Sequence, residues 1–310
     1  MSLRTRKQAL LAKIETTYGT DAGPTGAANA MLVTGLEIVP LEGENVSRNL
    51  VRPHFGNDQQ IPVGAHVSCT FKVEMAGAGA AGTAPAYGVL LRACAFAETV
   101  TPATEVVYDP VSEGIESVTL YIYKDGNLHK LLGWRGSVSM DLTAKQIPML
   151  SFTGRGIWSD PVAGALPAAD TTAFKAPVPG SKAHTPTITL HGIASPMETI
   201  SIDLANQVVF RALVGAESVE ITDRKPTGRI QIEDPGVAAK NYFTTAKAAT
   251  LGALQLIHGT TAGNIVQIDA GNVQVLNPKY ADSDGVQMLG MDLALVPSDA
   301  GDDEISITVK

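Results

Sequence analysis

His66-Val-Ser-Cys-Thr-Phe-Lys-Val-Glu-Met75 alternates apolar side chains (Val67, Cys69, Phe71, Val73, Met75) with polar ones (Ser68, Thr70, Lys72, Glu74). A period of two sustained over this stretch describes a strand with one face on a core and the other on water or a neighbour. Small residues follow from Ala76 to Thr83. Pro85 then stands where a helix would begin, with Tyr87, Leu90, Leu91, Cys94 and Phe96 at roughly helical spacing. The unit reads strand, loop, helix. A second unit begins with Arg229-Ile-Gln-Ile-Glu233, turns at Asp234-Pro-Gly236, and reads as a helix from Asn241 to Ile257 through Tyr242, Phe243, Ala246, Ala249, Leu251, Leu254 and Ile257. The two units lie roughly 160 residues apart, too long a period for a solenoid and right for a duplicated domain.

The chain has 310 residues, which suits two domains of ordinary size, and at 45% hydrophobic it can bury real cores. No apolar run is long enough to span a membrane. The start, Met1-Ser-Leu-Arg-Thr-Arg-Lys-Gln-Ala-Leu-Leu-Ala, has a basic lead but an apolar run soon broken by Lys13, which argues against a signal peptide. Cys69 and Cys94 both fall at apolar positions and read as core residues, in keeping with folding in a reducing cytoplasm. Only 17% of residues are charged, while Gly, Pro, Thr, Val and Ala are plentiful, the composition of a β-rich protein with many turns. So low a charge suggests a surface largely covered by copies of itself, and a net charge of −8 disfavours a dedicated nucleic-acid binder.

Along the chain, a leader with a turn-rich loop at Tyr18 to Gly26 precedes a strand at Met31 to Val39. Leu41 to Gly64 has no clear period, and with Leu50, Val51 and Phe55 among polar groups it reads as a loop that docks on a neighbour. Ser117 to Leu132 is a hairpin turning at Asp125-Gly126, and strands follow at Gly136 to Leu142 and Met149 to Gly154. Pro, Ala and Gly between Trp158 and Gly180 mark a linker. Strands then fall at Thr187 to Leu190, Ser201 to Leu204, Gln207 to Leu213, Ser218 to Thr222, Val273 to Leu276, Gly285 to Leu295 and Asp303 to Val309. The fold class that emerges is α+β, mostly β, with antiparallel sheets.

No motif demands chemistry. Gly77-Ala-Gly79-Ala-Ala-Gly82 matches G-x-G-x-x-G, but the strand before it alternates and hairpins follow it, so it reads as a Gly/Ala connector. Asp282-Ser-Asp-Gly285 begins like an EF-hand loop but has Leu293 where the twelfth-position Glu belongs, so it reads as a turn. Gly301-Asp-Asp-Glu304 reads as a solvated turn. The six histidines have no ligand spacing, and His258 is expected to follow a helix and bond its final carbonyls. No catalytic, cofactor-binding or metal site is assigned, and the chain is not read as an enzyme.

Leu11-Ala-Lys-Ile-Glu-Thr-Thr-Tyr-Gly-Thr-Asp-Ala-Gly-Pro-Thr25, then Asn29-Ala-Met-Leu-Val33 and a strand ending at Pro40, resembles the major tail tube proteins of long-tailed, non-contractile (siphovirus-like) bacteriophages. The likeness continues through the long loop and the late strands, with Val273-Gln-Val-Leu276, Asp284-Gly285 and Asp302-Asp-Glu-Ile-Ser-Ile307 matching the family's closing segment. The resemblance implies two packed antiparallel β-sheets with one flanking helix per domain, here twice in tandem: a first tail-tube domain over 1–160 with the leader and the loop 41–64, a linker over 161–183, and a second over 184–310. It implies rings whose inner sheets join, stacked into a hollow tube through which DNA passes, in a virion tail made in the host cytoplasm. Partners implied are the chain itself (a ring of three two-domain chains, with a hexamer as the alternative), tape measure protein, tail terminator and distal tail protein. DNA would be met in transit only, and no membrane or cofactor is involved. Under that reading Ser68, Thr70, Lys72, Glu74, Arg229, Gln231 and Glu233 are expected to face the lumen. Leu11, Ile14, Tyr18, Leu50, Val51 and Phe55 are expected to meet other subunits or rings. The alternatives are another phage structural protein (decoration, baseplate or capsid-associated) or a secreted β-rich binding module.

Overall fold

The computed structural model describes residues 2–310. The first half runs β1 (Gln8–Ile14), a single turn α1 (Gly26–Asn29), β2 (Ala30–Met31), β3 (Thr34–Ser47), β4 (Gln60–Glu74), α2 (Gly88–Arg92), β5 (Phe96–Thr101), β6 (Glu105–Pro110), β7 (Val118–Lys124), β8 (Gly126–Thr143), β9 (Met149–Ile157) and β10 (Val162–Gly164). The second runs β11 (Thr187–Leu190), β12 (Ile193–Ala194), β13 (Met197–Asp203), β14 (Asn206–Leu213), β15 (Ala216–Arg224), β16 (Thr227–Glu233), α3 (Tyr242–Lys247), β17 (Leu251–His258), β18 (Val266–Ser283), β19 (Val286–Leu295) and β20 (Ser306–Val309). The protein is mostly β, with antiparallel pairing throughout its ladders and three short helices, and its sheet does not close into a barrel.

One sheet crosses the whole molecule in the order β3–β4–β9–β8–β13–β16–β19–β18, every neighbour antiparallel. The two halves contribute four strands each in matching order and meet at the β8–β13 ladder, where Ile200 lies opposite Leu142 and Ile202 opposite Met140. Two long strands leave this sheet for an outer layer. The early part of β8 pairs with β7, which carries β1, and the early part of β18 pairs with β17 and β20. β20 also pairs with β6, so the chain's last strand binds its two halves together.

Alternation explains the layering. Val67, Cys69, Phe71 and Val73 of β4 point inward with Val138 and Met140 of β8, Ile200 and Ile202 of β13, Ile230 and Ile232 of β16, and Leu289 and Met291 of β19. These belong to one core that runs beneath both halves. Phe71 sits between Phe152, at 5.6 Å between ring centroids, and Trp134, at 6.2 Å. Each such side chain contributes about 1.5–3 kcal/mol by leaving water. Cys69 and Cys94 are free and buried, and burial pushes the Cys69 thiol up to about 12. The glycines at Gly77 serve packing: a Cβ there would lie 2.2 Å from the Gly263 carbonyl oxygen, and the Gly77 amide donates to Asn264 Oδ1 at 2.6 Å.

Several expectations are corrected. The helix expected over Asn241 to Ile257 is only α3, capped by the Asn241 side chain accepting from the Thr244 amide, and Leu251 to His258 is the strand β17. Leu254 and Leu256 fall inward by alternation, whereas Leu251 and Ile257 of the helical spacing do not, and partners on both sides, β11 and β18, decide for the strand. The helix after Pro85 is likewise short, and Phe96 starts β5. The expected loop from Leu41 to Gly64 is a loop only in its middle half: β3 and β4 run out together as a hairpin, joined by residues 48–59. Its irregular sequence reflects register shifts rather than lack of structure, because each bulge breaks the alternation. Within the expected linker, β10 pairs with β8.

His258 does not follow a helix but ends β17, buried, with Nδ1 3.0 Å from Thr185 Oγ1 and Nε2 3.1 Å from the Val178 carbonyl oxygen. A carbonyl only accepts, so Nε2 carries the proton and Nδ1 accepts from the hydroxyl. Burial holds this imidazole below its ordinary value of 6.5, and does the same at His191 and His129. The unfolded chain therefore takes up these protons first, and stability falls as pH drops through about 6.5 toward the depressed folded values. The melting temperature is expected to decline between about pH 6.5 and 5, above the carboxylate range, and His258→Gln to flatten that decline. A melting temperature independent of pH across this window would contradict the assignment.

Candidate assembly surfaces

The face of the eight-stranded sheet turned away from the core is built from the polar members of each alternation. Ser68, Thr70, Lys72 and Glu74 on β4 lie opposite Arg155, Thr153, Ser151 and Met149 on β9. The row continues through Ser137, Ser139 and Asp141 on β8 to Ser201 and Asp203 on β13, then to Arg229, Gln231 and Glu233 on β16. The seven polar positions of the two alternating stretches thus share one face of one sheet, because directly opposed residues in an antiparallel ladder point the same way. Local hydrogen bonds quiet this face. Ser68 donates to Glu42 Oε1 at 2.5 Å, Thr143 and Thr199 bond across the seam at 2.9 Å, and Gln231 donates to Glu198 Oε2 at 2.5 Å. Arg229 donates to Asp292 at 3.1 Å, and Asn277 donates to the same carboxylate at 3.0 Å. Together these hold Asp292 below its ordinary range, Asn277 contributing most.

The sheet ends in two incomplete edges. β3 pairs with β4 alone, and β18 from Val275 onward pairs with β19 alone. Apolar side chains stand exposed along both: Val39 and Leu41 on β3, Tyr280 on β18. Such an edge invites another strand. Past the sheet, the β3–β4 hairpin projects as an arm. At its tip Val51 and Phe55 are as exposed as in an isolated residue, at 103% and 107%, and Leu50 is 43% exposed.

The leader is placed differently. Leu11 is fully buried in its own chain against Ala30, Tyr121 and Leu128, so it has no surface to offer a neighbour, and Ile14 packs on the main core. Glu15, 7% exposed, is a buried carboxylate that accepts from Ser117 Oγ (2.7 Å), Thr119 Oγ1 (2.8 Å) and the amides of Gly19 (2.8 Å) and Gly133 (2.7 Å). Tyr18 accepts from the Val219 amide at 2.5 Å and stacks under Arg135, whose guanidinium donates to Glu220 at 2.7 Å. Burial raises the Tyr18 hydroxyl pKa. The Glu15-Thr-Thr-Tyr-Gly19 segment thereby ties the first half to the β14–β15 hairpin of the second.

Sequence reading missed a second tie. Arg224, at the end of β15, pairs with buried Glu304, donates to Asp302 at 2.9 Å and reaches the Val111 carbonyl at 3.1 Å. Burial pushes the Asp302 carboxyl up, but donation from Ser112 and Arg224 outweighs it and the pKa is lowered. Gly301-Asp-Asp-Glu304 is thus a clamp between halves rather than a solvated turn. Among the described residues no group of three or more His, Cys, Asp and Glu could hold a metal ion, and no helix is long and apolar enough to cross a membrane.

A sheet with a polar outer face, two unpaired borders and an exposed apolar arm, and no cluster of metal-ligating side chains among the described residues, has the features of a structural protein. The chain belongs to the phage tail tube protein family, whose model matches residues 5–309. It is a structural component of the virion tail. No curated protein sequence matches it.

Proposed function

We propose that this chain closes into rings of three copies that stack into the tail tube, with the polar sheet face lining the channel that DNA traverses. The observation that carries this is the eight-stranded antiparallel sheet open at both borders. With an even number of alternating strands, β3 and β18 run in opposite directions. Placing β18 of one copy beside β3 of the next therefore continues the antiparallel order without a break. Such head-to-tail contacts use two different borders and close into a ring when the rotation permits.

The two halves act as tandem tube domains, so that three chains imitate sixfold symmetry. Three copies give twenty-four strands, and a strand spacing of about 4.8 Å with a tilt near 40° makes a barrel roughly 50 Å across between backbones. That admits a DNA duplex with side chains in place. Six copies would double the width and leave a channel far wider than a duplex needs, which favours three.

The lining fits passage rather than capture. Its hydroxyls are neutral, Arg229 is held by Asp292, and Lys72 and Arg155 are accompanied by Glu74, Asp141, Asp203 and Glu233. Without a run of free cations there is little counterion release on meeting phosphates, so DNA slides. The tube would be bounded by a tape measure protein within and by a terminator and a distal tail protein at its ends. Electron micrographs of the purified chain test the reading. Hollow tubes with sixfold end-on averages and rings of three-chain mass are expected, whereas a lone molecule that stays monomeric at high concentration overturns it.

A further inference from the structure

We infer that the seam inside the chain is the pattern for the seam between copies, so that its register can be read from one molecule. This rests on the tube reading above. The halves match strand for strand: β3–β4–β9–β8 corresponds to β13–β16–β19–β18. The ladders end alike, with Glu74 opposite Met149 in the first and Glu233 opposite Met288 in the second. Inside the chain, β13 of the second half pairs with β8 of the first. The same step, taken once more, pairs β3 of the next copy with the open part of β18.

The match also gives partners. Met140 faces Ile202 and Asp141 faces Ser201 across the internal seam. Carried over, Tyr280 faces Ile38 of the next copy, and Ala281 faces its Glu37. The burial agrees. Met140 and Ile202 are 3% and 2% exposed, whereas Tyr280 is 59% exposed and Ile38 half-buried in the single chain. Both point to the core side of their strands and would be covered by the same closure.

The arm gains a place as well. The β14–β15 hairpin leaves the chain between β13 and β16, the position that the arm occupies between β3 and β4. It folds over the ends of β4, β9 and β8, where Phe210 stacks on His66 with centroids 4.6 Å apart. The corresponding end of the second half is an open groove lined by Pro226, Ala294, Leu295, Val296 and Pro297. Asp223 and Asp302 at its rim are already paired with Lys225 and Arg224, so the groove offers apolar surface, and the arm brings Val51 and Phe55 to it. Apolar tip and apolar groove, at the place where the chain's own β14–β15 hairpin covers the first half, fit a second copy of this chain.

The test uses the full chain carrying Cys69→Ala, because Cys69 lies directly opposite Ile38 in its own chain, with Ile38→Cys and Tyr280→Cys, assembled and then treated with an added thiol oxidant such as diamide. Covalent species ending at three chains are expected, with neither single variant linking, since the remaining native thiol, Cys94, is buried. The pair Ile38→Cys with Asp282→Cys, two residues out of register and about 7 Å further along, is expected not to link. Preferential linking of that pair, or tubes in which neither pair links, overturns this inference and leaves the tube reading standing. Failure of the unmodified chain to assemble overturns both. A second variant, Val51→Asp with Phe55→Asp, changes only exposed side chains and is expected to lose assembly with its circular dichroism unchanged; undiminished assembly overturns the arm's placement.

Discussion

Deletion of Asn45 to Gln59 is expected to leave a folded, soluble chain that makes no tubes. None of these side chains belongs to the core, and all but Asp58 are exposed. The deletion removes the three outermost β3–β4 pairs, Asn45 with Pro62, Val46 with Ile61 and Ser47 with Gln60, and keeps the pairs nearer the body. Shortening a surface loop changes closure entropy by only about 0.6 kcal/mol per halving of length, so the fold survives. What is lost is the exposed apolar tip, the kind of anchor that dominates association energies. Size-exclusion chromatography and negative-stain micrographs check this together. A monomer peak with unchanged melting and no tubes is the expected pair of results, and tubes of ordinary length would refute it.

Glu15→Ala is expected to be the most damaging single change to the fold, at about 3–5 kcal/mol, the scale of stripping the partner from buried polar groups. Two hydroxyls and two amides converge on this carboxylate, and an alanine leaves all four without an acceptor in a site closed to water. The loss spreads because Tyr18, three residues on, holds the Val219 amide and the Arg135 guanidinium. Glu15→Gln keeps one acceptor but turns an amide donor toward other donors, so an intermediate loss is expected. Thermal melts of the three proteins at neutral pH measure the order. A Glu15→Ala melt within a degree or two of the parent would show that the cluster carries no such weight.

Much of this fold is legible because a strand's alternation is a local property. Val67 to Met75 and Arg229 to Glu233 each declare one wet and one dry face within a few residues, whereas β7 is covered on both faces from Val118 to Ile122. Asp125-Gly126 turns the β7–β8 hairpin with both residues at positive φ, as its dipeptide signals. The resemblance of Leu11 to Thr25 and of the closing strands led to the family that the chain belongs to. Glu15 stood within that quoted stretch, yet nothing local marked it as the buried acceptor.

Where reading failed, distant partners decided. Apolar residues from Tyr242 to Ile257 fit both a helix and a strand, and only ladders to β11 and β18 choose the strand for Leu251 to His258. The arm hid its pairing because register shifts between Val39 and Glu42 and between Glu42 and Glu44 broke its period. The β8–β13 ladder, which fuses two polar faces into one, joins segments far apart in the chain and leaves no mark in either. The sequence by itself determined which face of each alternating strand turns to the core, since side-chain chemistry alone sets that. Tertiary structure decided which strands stand side by side and which borders stay open, because backbone hydrogen bonds are the same for every residue and only the packed core selects their partners.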